Sequence, residues 1–219
     1  MKLKCAIFDF DGTLFDSMHI WENVAEIYLH TLDIVPKPTL RDDVREMCLH
    51  QSAGYLQKNY DLPLSVEQIM EGINHTVEDF YLNQVLPKPG VTSFLEQMQR
   101  AEIPMCIATA TDRYQIEAAL KRCGMAHCFD AIFTCSETGH GKDEPVIFRN
   151  AMASFDADRS TTIVFEDAYH AARTAKDDGF LVAAVFDESE KKQKELRELA
   201  DFYIEDYEDA EAFWERLEG

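Results

Sequence analysis

The stretch "CAIFDFDGTLFDS" occupies residues 5–17. A four-residue apolar run, Cys5 to Phe8, stops at two aspartates one residue apart, and a glycine and a threonine follow. The run is continuously apolar rather than alternating, as in a strand of a parallel sheet covered on both faces. "PMCIAT" (104–109), "AIFT" (131–134), "TTIVFE" (161–166) and "FLVAAVF" (180–186) read the same way, and "FYIE" (202–205) is a weaker sixth. Helical segments are predicted between them at 91–101, 112–123, 144–154, 168–178 and 189–200. Strand, helix, strand, repeated, predicts right-handed βαβ units and an α/β fold with a doubly wound parallel sheet.

One interval breaks the rhythm. Roughly seventy residues after the first strand contain no convincing strand and carry helical spacing instead. Ile20, Val24, Ile27 and Thr31 form one predicted stripe, and Val66, Ile69, Ile73, Val77 and Phe80 another. Ser65 with Gln68 gives the second a capping-box start. Residues 16–86 therefore read as an all-helical insertion, and residues 1–15 with 87–219 as the core domain. The acidic C-terminus is expected to be an amphipathic helix with Ala212, Phe213 and Leu217 inward.

Charge narrows the possible partners. The 219 residues hold 41 acidic and 21 basic side chains, a formal net charge of −20. Such a surface repels phosphate backbones and anionic lipid, so neither nucleic acid nor membrane is expected as a partner. An anionic substrate would need local cations. The six cysteines (5, 48, 106, 123, 128, 135) are scattered without a C-x-x-C pair, the apolar stretch in "MKLKCAIFDFDG" is too short to be expected as a signal peptide, and no other segment approaches membrane-spanning length. The expected location is cytoplasmic. Cys123, His127 and Cys128 are too few and too closely spaced for a soft-metal site.

Asp9 and Asp11 leave the sheet on one side, because side chains two apart in extended chain share a face. In an open α/β sheet, ligands bind outside the carboxyl ends of the strands. Alone, "DG" would be a turn, and the spacing fails for a calcium loop: Leu14 and Ile20 stand where glycine and glutamate are required. The other strand ends decide the reading. "CIATATDR" ends in the hydroxyls of Thr109 and Thr111 before a helix start near Asp112, a natural phosphate site. "TTIVFEDA" ends in Glu166 and Asp167, and "GHGKDEP" supplies Lys142 in a glycine-flanked loop that is not a Walker A loop. Four carboxylates converging at one sheet edge must share protons or hold a cation. An all-oxygen set selects a hard ion, and magnesium suits one or two direct carboxylates best.

Together these residues resemble the haloacid dehalogenase superfamily. "DFDGT" (9–13) matches its D-x-D-G-T motif, Thr109 its Ser/Thr motif, Lys142 its lysine motif and "FEDA" (165–168) its acidic motif, in order across nearly the whole chain. The helical insertion resembles the alpha-helical cap of the subgroup with phosphoglycolate-phosphatase-like and beta-phosphoglucomutase-like members. The resemblance implies that Asp9 attacks phosphorus and that Asp11 acts as acid and then base. It implies that Thr109, the Ala110 N–H and Lys142 hold the phosphoryl oxygens. Mg2+ would sit on Asp9, the Asp11 backbone carbonyl and Asp167, with Glu166 acting through water or from behind. Two departures stand out: Val146 in "KDEPV" replaces an acid that often follows the lysine, and Ala171 stands where the subgroup often has glycine.

The expected function is a magnesium-dependent phosphatase acting on a small phosphorylated metabolite through an aspartyl phosphate. A beta-phosphoglucomutase-like phosphotransferase is the first alternative. Those mutases carry a histidine twelve residues after the nucleophile, where this chain has Trp21, with His19 two residues earlier. A non-catalytic phosphate-binding protein is the second, disfavoured because binding alone does not need nucleophile and acid together. Dehalogenation is disfavoured by Asp11, since halide needs no proton. Phosphonate hydrolysis through a cap lysine such as Lys58 stays open. Arg113 could reach substrate or lie at the surface; Arg41, Arg45, His50 and Lys58 face unknown directions in the cap. The sequence leaves open the physiological substrate and whether the protein is a monomer or homodimer.

Overall fold

The computed structural model describes residues 2–44, 47 and 49–218, so Arg45 and Cys48 lie outside the described residues. Two compact units emerge. One comprises the chain up to Asp16 together with the chain from Val85 onward; the other is Ser17–Gln84.

In the first unit the described residues form a six-stranded, all-parallel sheet in the order β3-β2-β1-β4-β5-β6. The strands are β1 (Cys5–Phe8), β2 (Met105–Thr109), β3 (Ala131–Thr134), β4 (Thr162–Glu166), β5 (Leu181–Val185) and β6 (Phe202–Ile204). β1, β2 and β4 are buried along their whole length, whereas β3 at one edge is mostly half-buried. Continuous apolar runs in the middle of the sheet follow from burial on both faces. On one face Cys5, Ile7, Cys106, Ala108, Val164 and Val182 pack with Ile147, Phe148, Ala172 and Leu196. On the other, Phe8 stacks on Phe165 at 4.2 Å, and Phe94 and Phe213 meet Phe165 edge-on or tilted at 5.7 and 5.6 Å. The strand order reverses direction between β1 and β4, which places a crevice at their carboxyl ends.

Helices α5 (Val91–Arg100), α6 (Arg113–Arg122), α7 (Cys135–Thr138), α8 (Val146–Ala153), α9 (Tyr169–Asp177), α10 (Gln193–Leu199) and α11 (Glu211–Glu218) complete this unit. Helix α10 starts later than the expected 189, because Asp187 Oδ1 takes both the backbone N–H and the hydroxyl of Ser189 in a local turn. The C-terminal helix also corrects the expectation. Phe213 and Leu217 are buried, but Ala212 is exposed and Ala210 takes the inward place. Positions 210, 213 and 217 share a helical face, and 212 lies off it.

The second unit contains α1 (Met18–Thr31), α2 (Leu40–Val44), α3 (Leu49–Asn59) and α4 (Val66–Asn83). Helix α4 begins with the capping box read from the sequence, Ser65 and Gln68 exchanging side-chain and backbone hydrogen bonds. Its buried stripe includes Ile69, Ile73, Val77 and Phe80. The α1 stripe differs from expectation. Ile20 is buried, but Ala25, Tyr28 and Leu29 form the rest of the inner face, while Val24 and Ile27 are half-buried and Thr31 is exposed. Gly72 on α4 explains the rotation: a Cβ there would lie 2.4 Å from the Tyr28 ring, so its absence creates the slot that ring fills. No described helix is long and apolar enough to cross a membrane.

Candidate active site

The site is built at the carboxyl ends of β1, β2 and β4. Asp9 follows β1 directly, and its N–H continues the ladder to the Phe165 carbonyl at 2.9 Å. The chain then turns sharply. The Phe10 carbonyl accepts the N–H groups of Leu14 and Phe15, and Gly12 donates to the Phe15 carbonyl at 2.9 Å. Gly12 has φ 73, a conformation that glycine adopts without a Cβ clash. This turn brings Thr13 back over the sheet edge, where its hydroxyl donates to Asp167 Oδ1 at 2.8 Å.

Asp9, Glu166 and Asp167 are buried, and each offers a carboxylate oxygen within 4.8 Å of the others. Lys142, also buried, bridges two of them: its Nζ donates to Asp9 Oδ1 and, at 2.8 Å, to Glu166 Oε1. Glu166 Oε2 accepts the backbone N–H groups of Asp167 (3.1 Å) and Ala168 (3.5 Å). Glu166 is thus committed to the lysine and its own backbone turn. Asp11 is half-buried with its carboxylate outside the three-acid group, and Thr111 donates its hydroxyl to Asp11 Oδ2 at 2.6 Å. Thr109 closes β2 fully buried, and its Oγ1 accepts the Thr111 N–H at 3.1 Å. Ala110, between them, is exposed.

The charge count determines the electrostatics. Three buried carboxylates face one ammonium, so the folded site retains a proton that isolated acids would lose. Burial, then the charge of Glu166, pushes the Asp9 carboxyl up to about 8, against the pull of Lys142. Asp167 is raised well above the carboxylate range by burial and then by Glu166, with Thr13 pulling the other way. Burial works against the Lys142 charge, but Asp9 and Glu166 outweigh it and hold the ammonium above its ordinary range. The buried Tyr207 hydroxyl has no hydrogen-bond partner, and the charges of Asp167 and Asp9 reach it. An all-oxygen cluster of buried acids with excess negative charge fits a hard divalent cation.

Other residues take plainer places. Arg113 is paired with Glu137 and donates to the Ile132 carbonyl at 2.7 Å, which commits it to the strand-end scaffold. His50 and Lys58 in the helical unit are exposed. Inside that unit, Trp21, Val24, Arg41, Val44, Ile73 and Val77 line a cavity of about 590 Å³. Trp21 Nε1 also donates to the Tyr81 hydroxyl at 3.1 Å. Cys123 and Cys128 carry free thiols, both raised by burial. One ion pair is not apparent from the sequence: half-buried Lys88 Nζ meets buried Asp187 Oδ2 at 2.8 Å and the Phe186 carbonyl at 2.7 Å. The signal was Asp187 itself, an acid just past β5 at the same edge of the sheet.

Comparison with known proteins agrees with this geometry. The haloacid dehalogenase-like hydrolase family model matches residues 6–185. Pyrophosphatase PpaX of Bacillus velezensis is 27% identical over 189 residues, covering 84% of this chain and 83% of that protein. A Drosophila melanogaster protein named a probable pseudouridine-5'-phosphatase is 25% identical over 226 residues, 94% of each chain. A Thermotoga maritima structure provisionally assigned as a beta-phosphoglucomutase superposes with TM-score 0.85 over 99% of both chains at 19% identity, a likeness of fold. With three motif segments seated at the ends of β1, β2 and β4, Lys142 reaching them from the loop before α8, and the family model spanning most of the chain, the protein belongs to the haloacid dehalogenase-like hydrolase family.

Proposed function

We propose that the protein is a magnesium-dependent phosphatase that hydrolyses a small phosphorylated metabolite through a phosphoenzyme on Asp9. The observation that carries this reading is the bridge from Lys142 to Asp9 and Glu166 beside the buried Asp167. It gathers a carboxylate suited to act as nucleophile, a buried ammonium and carboxylate oxygens suited to a hard metal ion at the neighbouring ends of β1 and β4. The names of the Bacillus relative, a pyrophosphatase, and of the Drosophila relative, a probable pseudouridine-5'-phosphatase, support phosphate hydrolysis as the class.

The residues divide the work. Asp9 supplies a carboxylate oxygen to phosphorus, which splits one hard displacement into two easier ones. Asp11 gives a proton to the departing oxygen and later takes one from the attacking water. Thr109, the Ala110 N–H and Lys142 stabilise the phosphoryl oxygens as charge spreads over them. Asp9, the Asp11 backbone carbonyl and Asp167 would hold the magnesium ion, which supplies charge neutralisation for nucleophile and phosphoryl group together. Glu166 orients Lys142 and acts on the metal at most through water.

The test is phosphate release from a panel of phosphorylated sugars, short acids and nucleotides, with Mg2+ and with excess chelator. Release that needs magnesium and vanishes in Asp9→Asn is the expected result. Undiminished turnover in chelator would sink the reading. Asp11→Asn is expected to lose turnover while still binding the substrate.

A further inference from the structure

We propose that Thr111 is a positioning residue that ties the phosphate-binding hydroxyl of Thr109 to the acid–base carboxylate of Asp11. The inference rests on the phosphatase reading for the role of Asp11, and on geometry for the rest. Thr111 is buried between the two residues and uses both of its donors on them. Its backbone N–H goes to Thr109 Oγ1 at 3.1 Å, and its hydroxyl goes to Asp11 Oδ2 at 2.6 Å.

Each bond has a chemical consequence. A lone pair of Thr109 Oγ1 is engaged by the Thr111 N–H, so the Thr109 O–H points elsewhere and is oriented as a donor for a phosphoryl oxygen. A hydrogen bond donated to Asp11 Oδ2 fixes the plane of the carboxyl group and with it the direction in which Oδ1 faces. General acid catalysis requires the carboxyl proton within hydrogen-bond reach of the leaving oxygen, so fixing the carboxyl plane fixes where the proton is delivered. Thr111 lies on the short turn between β2 and α6, whereas Asp11 lies on the turn after β1. The hydroxyl therefore pins a residue of one strand end to the neighbouring strand end, 100 positions away in sequence.

Thr111→Val tests this, because it keeps the shape and the backbone N–H and removes only the hydroxyl. The readout is kcat/KM on two esters: an alkyl phosphate, whose leaving oxygen needs a proton, and p-nitrophenyl phosphate, whose leaving group needs little help. The alkyl ester is expected to lose about ten- to hundredfold, as part of the general-acid contribution. The aryl ester is expected to lose far less, and competitive inhibition by inorganic phosphate is expected to stay unchanged. Thr111→Ser, which keeps a hydroxyl, is expected to restore the alkyl ester. An equal loss on both esters, or no loss on either, would overturn the proposal while leaving the phosphatase reading intact. If Thr111→Val does not fold, Thr111→Ala carries the same comparison. A wild type that releases phosphate neither from these esters nor from the substrate panel removes the phosphatase reading. Crystal structures then decide the positioning role: a single Asp11 rotamer in wild type that is lost in Thr111→Val supports it, and an unchanged rotamer ends it.

Discussion

Thr13 Oγ1 donates to Asp167 Oδ1 at 2.8 Å, linking the turn after β1 to the end of β4 across 154 positions of sequence. The bond fixes the orientation of a carboxylate that the proposed function assigns to the metal. It also pulls the Asp167 carboxyl down against its burial. Thr13→Val is therefore expected to weaken Mg2+ binding by about tenfold, the low end for loss of a group that orients a metal ligand. Titration calorimetry with Mg2+ checks this; an unchanged dissociation constant would mean that Asp167 is held by its packing alone.

The acids of the site give metal-free stability an unusual pH slope. Unfolded, Asp9 ionises near the ordinary value for aspartate; folded, burial and Glu166 keep its proton to about 8. Between those values the folded state binds more protons than the unfolded, so stability falls as pH rises. Asp167, raised for the same first cause, adds in the same direction. Acids held low, such as Asp178 beside Arg149, act only below about pH 4 and leave this window untouched. The unfolding free energy of metal-free protein, read from urea titrations, is expected to drop from pH 5 to pH 8 by on the order of a few kcal/mol. Saturating Mg2+ should flatten that slope. Mg2+ binding at pH 7 should release about one proton, read from calorimetry in buffers of different ionisation enthalpy. A metal-free stability that rises over this window would contradict the charge count.

The sequence made the sheet and the motif residues legible for one physical reason. Central strands of a parallel sheet are buried on both faces, so "CAIF" and "TTIVFE" stand out as unbroken apolar runs, and chemistry follows at their carboxyl ends. Partner choice was less legible. Thr13 was visible only as a letter of a motif, Thr111 only as a second hydroxyl, and neither pattern named Asp167 or Asp11 as its acceptor. Those contacts depend on how two distant strand ends meet. The α1 face was misread because its rotation is set by Gly72, on another helix, through the slot it leaves for Tyr28. The Lys88–Asp187 pair was hidden likewise, joining the segment before α5 to the end of β5.

Two glycines are expected to respond to alanine with opposite signs. Gly90, which precedes α5, has φ 76, and a Cβ there would lie 2.5 Å from the Glu208 nitrogen and 2.6 Å from the Tyr207 carbonyl carbon. Backbone atoms cannot give way as a side-chain tip can. Gly90→Ala is expected to cost more than about 1 kcal/mol and to lower the melting temperature. Gly54 lies inside α3, and a methyl added there would meet nothing within 4 Å. Gly54→Ala is expected to stabilise by about 0.5–1 kcal/mol, since alanine loses less backbone entropy in a helix. Thermal melts of both variants check the pair, and a stabilised Gly90→Ala would refute the close approach at Tyr207–Glu208.

Lys142 tests whether the site's charge balance is functional as well as structural. Its ammonium is the cation joined to both Asp9 and Glu166, and all three side chains are buried. Lys142→Met keeps most of the apolar stem and removes the charge. Without it the carboxylates repel at neutral pH, and loss of a buried partner costs about 3–5 kcal/mol. Protonation offsets part of that at low pH, so the deficit should shrink from pH 8 to pH 5. Mg2+ should restore more stability to the variant than to wild type, because a bound cation offsets the same negative charge. Turnover should fall by about 10²–10³ and stay low with Mg2+, since a donor to the phosphoryl oxygens is gone. Melting curves at two pH values, with and without Mg2+, separate the two roles. Equal stabilities of variant and wild type in metal-free buffer at pH 8 would show that Lys142 does not balance the buried acids.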